Sequence, residues 1–230
     1  MGRMRTDVTI EASVGRSPRI RASGGLAVRQ TGPHTVYLVG TAITPLGGDH
    51  ISVTVRVADG AQLCVRTVAA SVALPGRSTQ RSTAAWDFTV GAGGVLDFSP
   101  EPLIIAGTAE HEVTTSVICA PDASVSLREQ VQIGRSGEVG LGVWRGETEA
   151  RLDSGVPLLV HALHLGSDDA LGSAGALESV FRFTDATRSN ELSKIGIEGD
   201  PRDARVRLPL PHGAELETWM GSQLPTIRTH

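Results

Sequence analysis

Ile51, Val53, Val55 and Val57 alternate with Ser52, Thr54, Arg56 and Ala58. Strict period two predicts a strand with one buried face. Beyond Asp59-Gly60, Leu63, Val65 and Thr67 alternate again with Gln62, Cys64 and Arg66. The pattern returns less cleanly over Ala85–Val90, Val113–Ile118 and Ala204–Leu210.

The turns between these runs also recur. Ala58–Leu63 (ADGAQL), Gly91–Leu96 (GAGGVL), Ala120–Val125 (APDASV), Asp153–Leu158 (DSGVPL) and Pro211–Leu216 (PHGAEL) each join two apolar runs. Aligned on Asp59, Ala92, Pro121, Ser154 and His212, they lie 33, 29, 33 and 58 residues apart. A period near 30 predicts a repeated hairpin unit with one insertion, stacked so that each unit covers its neighbour's apolar face. Unrelated hairpins recurring by ordinary topology fit the same pattern, since the units share little identity. Asp59-Gly60, Ser154-Gly155 and His212-Gly213 suit positive φ, and Pro121-Asp122 pre-sets a turn.

The pattern breaks over Leu165–Ala204. Asp185 is placed to N-cap a helix over Ala186–Ile195, with Gly196 past its end. A weaker helical stretch, Leu171–Ser179, contains Gly172 and Gly175, which count against it. The expected fold is mainly β: one domain over residues 1–230, of stacked β-hairpins, solenoid-like or in layered sheets, with one or two short helices in the C-terminal third. Residues 1–25 are expected to be a flexible lead and residues 220–230 a tail.

Composition narrows the core. Hydrophobic residues make up 40% of the 230 but aromatics only 3%, so Val, Leu, Ile and Ala must fill the interior. Twenty-one basic against 25 acidic residues give a net charge of −4. Without a basic run or stacking aromatics, nucleic-acid binding is not expected. Cys64 and Cys119 fit no metal or disulfide pattern and read as buried thiols. There is no apolar leader after Met1 and no run of ~18 apolar residues, so the expected location is cytoplasmic.

Candidate chemistry is sparse. His161 and His164 suggest a metal pair at helical spacing, but their surroundings (VPLLVHALHL) read as a strand, where an odd separation puts the rings on opposite faces. Gly47–His50 (GGDH) lacks the Lys-Ser/Thr of a phosphate loop. No nucleophile elbow occurs. These residues point to a scaffold or binding protein, not an enzyme.

Ordered motifs then carry a resemblance. Gly47–Thr67 (GGDHISVTVRVADGAQLCVRT), Val90–Glu138 with its glycine turn, APDASV turn, Glu129 and GRSGE, and Trp144–Leu163 (WRGETEARLDSGVPLLVHAL) together resemble the urease accessory protein UreD (UreH) family over about Leu26–Leu165. The chain departs from the family pattern at Arg66–Arg77, where an Ala-Thr-Lys and an aromatic are missing. It also departs at Arg128, which replaces an aromatic, and in the tail ETWMGSQLPTIRTH.

The resemblance implies a mostly β, non-catalytic chaperone of urease maturation. Such a protein binds apo-urease and UreF, which recruits the GTPase UreG, and passes Ni²⁺ in transit without holding a stable cofactor. Transit suits carboxylates better than a closed His/Cys cage. By motif position, Asp49, Glu129, Arg135 and Glu138 are the conduit or scaffold candidates. Asp49 reads equally as a turn-capping carboxylate, and Arg135–Glu138 as a surface ion pair. The alternative function is a generic β-rich ligand-binding or structural domain with no urease role.

Overall fold

In the computed structural model, residues 3–135, 138, 142–166, 174–184, 195–200 and 203–224 are described. The first strands are β1 (Arg5–Ala12), β2 (Arg19–Ser23), β3 (Leu26–Gly32), β4 (Thr35–Gly40), β5 (His50–Val57) and β6 (Gln62–Thr67). The next are β7 (Ser71–Ala73), β8 (Arg81–Val90), β9 (Val95–Phe98), β10 (Leu103–Ile105), β11 (Glu110–Cys119) and β12 (Ser124–Ile133). The last are β13 (Val143–Leu152), β14 (Pro157–Gly166), β15 (Ala176–Phe183), β16 (Gly196–Asp200), β17 (Asp203–Pro209) and β18 (Ala214–Gly221).

They form two facing sheets. Sheet A runs β14-β13-β11-β8-β5-β1-β2. Sheet B runs β16-β17-β18-β15-β12-β9-β6-β4-β3, with β10 bridging β12 and β7. The period-two runs account for this: one face of every long strand supplies Val, Leu, Ile or Phe to the space between the sheets.

The mainly β, solenoid-like stack expected from the sequence is present, and its repeated turns are of two kinds. At Asp59, Ala92 and Asp122 the chain crosses from one sheet to the other. β5 and β6 do not pair; β5 pairs with β8 and β8 with β11, all parallel, while β6 pairs with β9 and β9 with β12. Three arches therefore stack as solenoid coils. Of the five repeated turns, only Ser154-Gly155, between β13 and β14, and Pro211–Gly213, between β17 and β18, close hairpins.

The arches bond to one another. Gly60 N–H donates to Ala92 O at 2.8 Å, and Ala92 N–H donates to Asp59 Oδ1 at 2.9 Å. Gly60 sits at φ +66°, where a Cβ would be strained. His212, at φ 58°, takes the left-handed conformation expected of it.

The arch half of the interior is closely packed. Val55, Val57, Phe88, Val90, Leu96, Val117, Cys119 and Val125 are all buried there. Phe98 lies 5.0 Å from both Phe88 and Trp86 in tilted contacts, worth about 0.5–1.5 kcal/mol each beyond burial.

Three other expectations change. Residues 1–25, expected to be flexible, hold β1 and β2, because Val8 and Ile10 add to the buried face of sheet A. The weaker helical stretch overlaps β15, whose alternating Leu177, Ser179, Phe181 and Phe183 line sheet B. The helix expected over Ala186–Ile195 lies, but for Ile195, outside the described residues. Among the described residues the sole helical element is the single turn Pro211–Gly213.

The sheets differ in width. Their partner-for-partner stacking leaves β17 and β16 of sheet B extending past β14, where sheet A stops.

Candidate functional site

The half of the interior away from the arches holds a cavity of about 130 Å³, large enough for several waters. Its floor comes from sheet A, with Ile51, Ala84, Trp86 and Val113 among the lining, and its roof from sheet B. Loop residues Thr44, Pro45, Pro100 and Glu101, and Ser71 at the start of β7, reach it from the side opposite the arches.

Polar groups enter this apolar space in rows that the pairing dictates. Across sheet A, Val53, Trp86, Thr115, Thr148 and His161 stand side by side. The last four line the cavity. Across sheet B, Glu129 stands beside Ser179, and both face the same space. The cavity thus has the Glu129 carboxyl and the Ser179 hydroxyl in its roof, with Arg128 and Gln130 also in the lining, and two hydroxyls and two imidazoles, His111 and His161, in its floor.

Burial sets their protonation. It pushes the Glu129 carboxyl up to about 7, because an ion without a cationic partner is poorly solvated there. It holds His161 below its usual value and His111 at about 4. Both imidazoles are therefore neutral at pH 7. His111 Nδ1 lies 2.8 Å from Ser82 Oγ, so that bond fixes the ring while its other edge faces the cavity. Thr44 Oγ1, also in the lining, is buried with no protein partner among the described groups.

The four candidates from the sequence separate. Glu129 is in the cavity. Asp49 is buried outside it, beside an outer cleft shared with Arg3, His50 and Arg81. Its Oδ1 accepts from Met4 N–H at 3.1 Å and its Oδ2 from Leu46 N–H at 3.0 Å. It therefore ties β1 to the turn before β5, the turn-capping alternative. Gly47 is fixed by the same turn: a Cβ there would meet Thr79 O at 2.0 Å and Gly76 N at 2.4 Å.

Arg135 and Glu138 form a local ion pair on the surface, at 3.2 Å. The guanidinium and the Arg135 N–H hold Glu138 at about 2. Neither lines the cavity. His161 and His164 are on opposite faces of β14, as the strand reading requires: His161 lines the cavity and His164 pairs opposite the outward Arg145.

Sequence reasoning missed His111, His161, Ser179, Thr115 and Thr148 as lining residues. The available signal was their inward parity within the alternating runs, which becomes a row only once the arch register is known. Among the described residues no three His, Cys, Asp or Glu side chains cluster to hold a metal ion. No helix among them is long and apolar enough to cross a membrane.

Residues 2–185 match the family described as UreD urease accessory protein. The chain is 40% identical over 158 residues to a urease accessory protein UreD from Parafrankia sp., covering 66% of this chain and 52% of that one. It is 39% identical over 153 residues to urease accessory protein UreD 1 of Saccharopolyspora erythraea, covering 66% and 59%. A UreD from Frankia casuarinae is 35% identical over 198 residues, covering 77% and 62%. The chain spans roughly half to three-fifths of these relatives' lengths. With its alternating strands, arches and GGD turn inside a match over most of its length, the chain belongs to the UreD urease accessory protein family.

Proposed function

We propose that this protein is a non-catalytic accessory factor of urease maturation. It binds apo-urease together with UreF and, through UreF, UreG, and Ni²⁺ crosses its interior on the way to the urease active site. The observation that carries this reading is the cavity between the sheets, with Glu129 in its roof and neutral imidazoles and hydroxyls around it. A cation must displace the proton from a carboxyl that titrates near neutrality. Retention is then weak, as transit demands. Hydroxyls and imidazoles supply neutral donors that stabilise the ion without trapping it as a thiolate cage would.

The test is genetic and biochemical. Removing the chain from a urease-positive host should abolish most nickel-dependent urease activity, and wild-type chain should restore it. Glu129→Gln should restore it at least tenfold less well while remaining folded and partner-bound. Full urease activity in nickel-replete cells without the chain would sink the proposal.

The largely apolar lining favours a second reading, a β-rich domain that binds a small apolar ligand. That reading expects no urease partner. Affinity capture that recovers UreF and urease subunits would reject it.

A further inference from the structure

Strand β14 is unlike the other sheet edges. It is ten residues long, ends sheet A, and contains no Asp, Glu, Lys or Arg. At the opposite edge of the same sheet, β2 has five residues and carries Arg19 and Arg21. Exposed edges are ordinarily kept short, charged or bulged, because unpaired N–H and C=O groups recruit other strands. Apart from Pro157 and the bulge that skips Leu158 at its start, β14 has none of these protections. Its outward Val160 is 78% exposed.

The roof above this edge is unfilled as well. β18 lies over β14, since Leu216 of one and Leu159 and His161 of the other close the same cavity. β17 and β16 continue sheet B beyond it with no described strand of sheet A beneath them. Register puts Ile197, Val206 and Leu208 on the same face as Leu216 and Thr218, that is, on the interior side. Ile197 is nevertheless 75% exposed and Leu208 39% exposed. Among the described residues, the overhang is an apolar shelf beside a backbone edge that no strand pairs.

Size and shape select the occupant. Ten residues at ~3.3 Å and two missing strands at ~4.8 Å give a patch of roughly 300 Å². That is well short of the about 800 Å² per partner that a stable dimer of whole proteins buries. A second copy is also excluded by geometry. Antiparallel β14–β14 pairing about a two-fold axis normal to the sheet would put both copies' overhangs on one side, in the same space.

We propose that the β14 edge and the shelf above it dock an extended, uncharged segment of a partner protein, which joins sheet A as its eighth strand. Main-chain bonds to β14 supply affinity. Alternate apolar side chains of the segment fill the space under Ile197 and Leu208.

Hydrogen exchange of the full chain, with and without a capped heptapeptide alternating Thr and Val, tests this. Alone, the outward amides of β14 should exchange as free backbone while β11 and β13 are protected. The heptapeptide should bind saturably and protect β14. Val160→Glu and Ile197→Glu, both at exposed positions, should each weaken binding at least tenfold without altering the thermal unfolding midpoint. A control peptide with Glu in place of Val should not bind.

Three results would overturn the proposal. β14 amides already protected in the free chain would mean that its own residues cover the edge. A dimer dissolved by Val160→Glu would mean that a second copy does. Free β14 amides with no heptapeptide binding would mean that the edge recruits nothing. The readouts involve no urease, so failure here is separate from failure of the maturation role.

Discussion

Glu129 faces the cavity between Leu127 and Val131 of its own strand, with the Ser179 hydroxyl beside it, and burial raises its pKa to about 7. The folded protein therefore holds a proton that the unfolded chain, with an ordinary carboxyl, has released. Stability contributed by that proton is present below the unfolded value and declines as pH rises through about 7. Glu129→Gln removes this dependence. The variant should match wild type near pH 4 and exceed it by a few kcal/mol at pH 8, measured as urea unfolding free energies at the two pH values. An equal offset at both would show that the carboxyl is not enclosed. His111, held at about 4, acts in the opposite direction between about 4 and 6.5, but it is common to both proteins and cancels in the difference.

The sequence motif around Asp49 was legible as a turn, but its role was not settled by it. A carboxylate after two glycines caps a turn equally well beside a cavity or away from one. The deciding fact is the backbone of Met4, 45 residues distant. Gly47→Ala forces a methyl into Thr79 O and Gly76 N. It should destabilise the chain by about 2–4 kcal/mol, read from the urea midpoint, since backbone on both sides must shift.

At the scale of elements, alternation was enough to place most strands of the first coils, because period two depends only on local residues. It could not tell arch from hairpin. ADGAQL and DSGVPL have the same local grammar, apolar run, small polar turn, apolar run. What separates them is whether the following strand finds its best apolar partner next door or ~30 residues away. The arches are held laterally by bonds such as Ala92 N–H to Asp59 Oδ1. Asp59→Ala should cost about 1 kcal/mol by loosening two coils at once, whereas Asp153→Ala, beside a hairpin that closes on its own backbone, should cost less. Paired urea titrations distinguish the two. The C-terminal strands were less legible because β16–β18 pair in sequence and carry Arg205 and Arg207, which with Arg182 of β15 surround Glu217 on the outer face, and this blurs the apolar period.

For the whole molecule, almost every inner strand pairs with one roughly 30 residues away, as Thr54 does with Asp87. Loop closure must precede most of the reward, so refolding should take seconds or longer. Stopped-flow tryptophan fluorescence, with Trp86 in the cavity wall, reports it directly. A single microsecond-to-millisecond phase would contradict the topology.

The two sheets are joined like the covers of a bound book. The arches form the spine: short, mutually bonded and backed by dry packing at Val57, Val90 and Cys119. The opposite margin is made of longer connections, including the Val68–Ala70 and Leu74–Gln80 links on either side of β7, and the cavity lies on that side. Any widening must then be a wedge, nearly zero at the spine and greatest at the loose margin. Loop length there sets how far that margin can part, so a change of loop length would alter the opening and leave the spine as it is.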